Sequence, residues 1–170
     1  MKNCFLIFSV FLILLSSCNK TVPKKAENPK FIRTWFDTVQ GMPLREKLII
    51  KENKTFEFSS RSCQDGSKSN GKWKIENDTI ILNSIKPKGC LFQHQFGFCI
   101  KVGDKSYFEN NKTIKGCEPN GRDSSYEIFE NEKFYLRNDT LIHINNKNNP
   151  CPNLKISFSM KEKVRKIYNK

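Results

Sequence analysis

From residue 46 onward, apolar and polar side chains alternate in short runs, a period of two that predicts β-strands joined by polar turns. "EKLIIK" (46–51) and "TFEFSS" (55–60) flank the loop Glu52-Asn53-Lys54, and alternation puts Phe56 and Phe58 on one face. The run "GKWKIENDTIILNSI" (71–85) predicts a hairpin about Asn77-Asp78, two residues that tolerate the positive φ of a two-residue turn. Its register sets Trp73 against Leu82 and Ile75 against Ile80 on the buried face, with Lys74 against Ile81 on the other. "CLFQHQFGFCI" (90–100) also alternates and predicts one strand carrying Phe92, His94, Phe96, Phe98 and Ile100 on one side. Gly103-Asp104 then turns into "KSYFE" (105–109), and the polar stretches 59–71 and 115–125 are predicted as loops. No helix longer than a few turns is predicted before residue 160. The chain reads as all-β: a single antiparallel domain, meander or barrel-like, over residues 31–170.

Self-comparison adds a second hairpin. "KWKIENDTIIL" (72–82) and "KFYLRNDTLIH" (133–143) align at an offset of 61, which sets Leu136 against Leu141 and Phe134 against His143. A duplication would produce this, and so would repeated hairpin grammar, because Asn-Asp-Thr is good turn chemistry by itself. At the same offset Cys90 falls on Cys151.

Ahead of the β region the pattern changes. Phe5 to Leu15 is an apolar run of eleven residues with Ser9 as its only polar member. As a helix it would cover about 16 Å, half of a bilayer's ~30 Å hydrocarbon core, which suits the h-region of a secretory signal. Leu15, Ser16, Ser17 and then Cys18 resemble the lipobox of bacterial lipoproteins. The resemblance implies cleavage after residue 17, a diacylglyceryl group on the Cys18 thiol, and a further acyl chain such as palmitate on the new amine. Two or more chains anchor stably where one holds only marginally. Residues 18–30 then form the lipidated N-terminus and a flexible tether, too polar to build a core. This places the protein in the bacterial cell envelope, held to a membrane through Cys18.

Charge changes the picture less. Thirty basic and 17 acidic residues give +13, and removal of residues 1–17 takes only Lys2, leaving +12. The lysines are spread along the chain, so no nucleic-acid partner is expected. "MKEKVRKIYNK" (160–170) alone concentrates charge, and a short amphipathic helix or a frayed end both fit its Val164, Ile167 and Tyr168 spacing. Membrane-surface contact is one use open to that segment.

Five cysteines follow Cys18, in a compartment where thiols oxidise: Cys63, Cys90, Cys99, Cys117 and Cys151. A Cys90–Cys99 bridge would need a turn inside the best alternating run. The repeat instead suggests Cys63–Cys90 and Cys117–Cys151, with Cys99 left over. No Cys-x-x-Cys or His-x-His pair occurs, so no metal is expected. Cofactor and catalytic motifs are likewise absent from the sequence: there is no Gly-x-Ser-x-Gly elbow, no His-Glu-x-x-His and no phosphate-binding glycine pattern. Any triad would have to use His94 or His143, both read as packed beside phenylalanines. Glu130 and Glu132 are read as solvated turn residues. A non-enzymatic protein is expected.

The "FIRTWFDT" opening (31–38) and the "GKWKIENDTIIL" hairpin resemble the lipocalin-like lipoproteins of Bacteroidota over roughly residues 31–85. Arg33 stands where that family's first strand favours glycine. The resemblance implies a β-barrel, in which Trp35, Phe58, Trp73, Phe92, Phe96 and Phe98 would either line a ligand cavity or, the reading favoured here, fill the interior as core. Asp-Thr-apolar triplets at 37–39, 78–80 and 139–141 look like that phylum's O-glycosylation motif. Two functions follow: an interaction or structural lipoprotein acting on a protein partner through its cysteine-tied loops, or a lipocalin-like binder of a small apolar or lipidic ligand. A lysozyme inhibitor is a narrower form of the first, disfavoured because a basic enzyme would meet a basic protein.

Overall fold

A computed structural model describes residues 29–38, 44–63, 65–99, 107, 110–147 and 149–162. The signal segment, Cys18, most of the tether, Ile100, the Gly103-Asp104 turn, "KSYFE" other than Tyr107, and the tail from 163 onward lie outside the described residues. Ten strands are named: β1 (Arg33–Asp37), β2 (Arg45–Ile50), β3 (Thr55–Arg61), β4 (Gly66–Glu76), β5 (Thr79–Ser84), β6 (Phe92–Gln95), β7 (Ser125–Ile128), β8 (Glu132–Arg137), β9 (Thr140–His143) and β10 (Ser157–Ser159). Eight of them close a barrel in the order β3-β2-β1-β10-β9-β8-β5-β4, with β3 pairing β4 to complete it. All eight contacts are antiparallel.

Closure depends on the length of β4. Its first seven residues pair β3, its last six pair β5, and Ser67 and Lys68 also pair β7 in parallel. β6 extends that parallel flap along β7.

The 71–85 hairpin has the expected register, with Trp73 opposite Leu82, Ile75 opposite Ile80 and Lys74 opposite Ile81. Asn77 and Asp78 take φ of 47° and 61°, the left-handed values a two-residue turn requires. The second copy matches: Leu136 faces Leu141, Phe134 faces His143, and Asn138 and Asp139 take φ of 47° and 57°. The two hairpins stand side by side through Ile80 opposite Phe134.

Three expectations need correction. Residues 59–71 are not a loop but the end of β3 and the first half of β4. Alternation is present there, but small residues disguise it: Ser69 and Gly71 are buried while Lys68 and Asn70 are exposed. The 90–100 run is not one strand. β6 stops at Gln95 and Gly97 turns the chain at φ 66°, so Phe96 is 5% exposed while Phe98 is 43% exposed. The disulfides are Cys90–Cys117 and Cys99–Cys151, not the pairs that the repeat suggests. Cys63 is exposed and unbridged, in a β3–β4 turn closed by the Ser62 N–H donating to the Asp65 carbonyl at 2.8 Å.

Aromatic rings fill the barrel. Trp35, Leu48, Phe56, Phe58, Trp73, Leu82, Phe134, Leu141 and Phe158 point inward and are at most 4% exposed. Phe96 and Phe129 enter from the flap and stack at 4.2 Å, with Phe58 5.5 Å and 5.3 Å from them. Phe31 lies in the same core, and its carbonyl accepts a hydrogen bond from Trp35 Nε1 at 2.9 Å. The Arg33 guanidinium lies over the Trp35 ring, 5.3 Å from the centroid.

Candidate functional site

The two ends of the barrel are built differently. At one end lie the Lys51–Thr55 turn, the two Asn-Asp turns, and the places where the described chain enters and leaves. Lys30 is ion-paired with Asp78 at 2.9 Å, and Arg33 contacts the Met160 sulfur. The opposite end carries the longer connections and both disulfides.

Beneath that disulfide-tied end, inward positions turn from apolar to polar. Strand register aligns Glu46 of β2 with Ser60 of β3, Ser60 with Ser67 of β4, and Ser67 with Ser125 of β7. Asp37 joins the row as its Oδ1 accepts from the Glu46 N–H at 3.4 Å. Burial, then the Glu127 and Asp37 charges, push the Glu46 carboxyl up to about 7 against a Ser60 hydrogen bond. Burial pushes Glu127 to about 7 as well, opposed by a Ser67 hydrogen bond. His94 is paired in register with Glu127 and stacks on Tyr107 at 5.8 Å, and burial lowers its pKa. The two glutamates can take up protons near neutrality. Among the described residues no group of His, Cys, Asp and Glu is arranged to hold a metal.

On the facing wall, Glu132 corrects its expected solvated turn. It opens β8 at 7% exposure, receives Gln95 Nε2 at 2.9 Å, and lies 2.6 Å from His143 Nε2. His143 packs on Phe134 at 5.0 Å, as the hairpin register implies. Its other face is covered by Gly97, where a β-carbon would stand 3.1 Å from Cε1. Phe134 and the Gly97 backbone thus enclose the His143 ring beside the Glu132 carboxylate. Glu130 is exposed.

The six aromatics expected to line a site divide. Trp35, Phe58, Trp73 and Phe96 are core; Phe92 is half-buried with Lys112 Nζ 6.0 Å above it; Phe98 projects outward. A shallow groove of about 320 Å³ lies on the outer wall of β2, β3 and β4, lined by Lys47, Ile49, Glu57, Ser59, Lys68 and Asn70. Sequence reasoning missed Glu46 and Glu127, although a signal existed. Glu46 shares the parity of Leu48 and Ile50, and Glu127 that of Phe129, which marks both as charges at inward positions.

These carboxyls give a pH prediction. Their folded pKa values near 7 exceed the ordinary 4.5, so the folded state holds the extra protons between those limits. Their stabilising effect is complete below pH 4.5 and is lost as pH rises through about 7. At ~1.4 kcal/mol per pKa unit, Glu46→Gln or Glu127→Gln should raise stability at pH 8 by about 1–3 kcal/mol. At pH 4, below the ordinary carboxyl pKa, the change should be near zero. Urea midpoints at both pH values test this, and equal losses at both would mean that the carboxylates are charged and favourably paired.

No protein-family model, curated protein or solved structure matches the chain. Fold and site define its class: a closed eight-stranded antiparallel β-barrel, filled with aromatics, with a parallel flap and a polar layer beneath a disulfide-tied end.

Proposed function

We propose that the chain is a lipid-anchored protein of a bacterial cell envelope, beginning at Cys18 when mature, and that it acts as a non-enzymatic interaction protein. The asymmetry of the barrel carries this reading. The described chain starts and finishes at the end with short turns, so an anchor at Cys18 would hold that end toward the membrane and present the disulfide-tied end to partners. Loops fixed on a rigid scaffold suit recognition. The aromatic filling of the interior supports this reading over carriage of an apolar ligand, which would need an open cavity of several hundred Å³.

Cys18→Ser should move the protein from the membrane fraction to the soluble fraction of its host, because every acyl chain depends on that thiol. Retention in the membrane would refute the anchor. Native mass spectrometry of the wild-type protein should show no stoichiometric small-molecule adduct; a lipid-sized adduct would favour the carrier instead.

A further inference from the structure

Two rim segments repeat one design. Ile85-Lys86-Pro87-Lys88-Gly89-Cys90 follows β5, and Ile114-Lys115-Gly116-Cys117 lies in the connection leading to β7. Each places an isoleucine and lysine ahead of a glycine and a bridged cysteine, and the bridge joins the two arms. Gly89 and Gly116 take φ of 91° and 76°, which turns each chain sharply into its cysteine. Both isoleucines face solvent, Ile85 at 48% and Ile114 at 53% exposure.

The arms are held rigidly. Thr113 Oγ1 donates to the Gly89 carbonyl at 2.6 Å and accepts from the Leu91 N–H at 2.8 Å, while the Thr113 N–H donates to the Leu91 carbonyl at 2.9 Å. These bonds set Ile114 and Lys115 beside Lys88 and Gly89. At the base of the other arm, the Ile85 N–H donates to the Asn70 carbonyl at 2.9 Å and the Tyr126 hydroxyl donates to the Ile85 carbonyl at 2.6 Å. Of the charges nearby, Glu118 is paired with Lys112 at 3.0 Å. Lys86, Lys88 and Lys115 are exposed and have no ion-pair partner among the described residues.

We infer that this disulfide-joined clasp is the docking surface for an acidic protein partner that also offers apolar side chains. The three unpaired lysines call for carboxylates, and opposite charge across a contact supplies specificity and fast association. The two isoleucines exclude a purely polar polyanion as the best fit, since such a partner would leave them in water. Ordering cost is low because the disulfide and the Thr113 bonds hold the arms in place before binding.

This inference rests on the interaction-protein reading, and its test is independent of the anchor. The full chain in detergent micelles is titrated by fluorescence anisotropy with a labelled peptide of Glu-Leu-Leu-Glu repeats, with polyglutamate of equal charge and phosphatidylglycerol vesicles as rivals. The peptide should bind at least about tenfold more tightly than polyglutamate, and binding should weaken with salt. Lys86→Glu/Lys88→Glu/Lys115→Glu and, separately, Ile114→Asp should each lower peptide affinity about tenfold or more, with an unchanged Tm as the check on folding. Polyglutamate binding as tightly as the peptide, vesicles displacing it, or no peptide binding at all would each overturn the clasp as a protein-docking surface. Because Cys18→Ser is scored by fractionation alone, failure of the clasp and failure of the anchor remain distinguishable.

Discussion

Replacing Trp73 by alanine is expected to cost about 3–5 kcal/mol, a large share of the ~5–15 kcal/mol that holds a typical domain. The ring is 4% exposed inside the barrel, opposite Leu82. Its Nε1–H donates to the Lys51 carbonyl at 2.9 Å, which fixes the β2–β3 turn, and Lys54 Nζ sits 4.2 Å above the ring centroid. Alanine would leave a cavity and remove both contacts. Lys74, one residue on, faces solvent at 58% exposure and, among the described residues, pairs with Glu76 at 2.6 Å on the surface. Lys74→Ala should cost well under ~1 kcal/mol. Chemical denaturation of a chain starting at residue 19, which retains every described contact, measures both. Comparable losses at the two positions would contradict the inward-outward register of β4.

Gly71→Ala is expected to be as damaging for the opposite reason. Gly71 lies where β4 passes from its β3 pairing to its β5 pairing, opposite both Phe56 and Ser84. A β-carbon there would stand 2.0 Å from the Asn83 carbonyl oxygen and 2.6 Å from Phe56 Cε1. A rotamer change could move the ring, but the carbonyl belongs to the neighbouring strand and can yield only if the sheet shifts. Overpacking typically costs about 1–3 kcal/mol, and a clash with backbone should reach or pass the upper limit, about 3 kcal/mol or more. Ser69→Ala, two residues earlier on the same face, removes one hydroxyl bonded to Ser84 Oγ at 2.8 Å and should cost about 0.5–1.5 kcal/mol. Thermal melts of the two variants rank them. A Gly71→Ala protein as stable as Ser69→Ala would mean that β3, β4 and β5 do not approach as described.

Legibility followed the size of the side chains. Both hairpins could be read residue by residue, because large alternating apolar groups and Asn-Asp turns state register and turn type together. Residues 66–71 form a strand of the same barrel, yet Gly-Ser-Lys-Ser-Asn-Gly carries no hydrophobic period. Its inward positions are small because Phe56 and Phe58 of β3 occupy the space opposite them. Gly97 defeats the 90–100 run in the other direction, since alternation continues in the sequence after the backbone has turned.

What the sequence by itself determined is local: strand type, two registers, two turns, and the parity that faces the core. Those depend on side chains within a few residues of one another. The tertiary structure decided whatever requires distant segments to meet. Barrel closure needs β3 and β4 to complete a ring begun by β1 and β10. Cys90 meets Cys117, and not Cys63, because Thr113 bridges the rim segments through Gly89 and Leu91. Glu127, 81 positions further along, helps to raise the Glu46 pKa only because β7 lies across the barrel end, where both carboxyls are partly buried. Burial and long-range pairing are properties of the closed ring, and no window of neighbouring residues contains them.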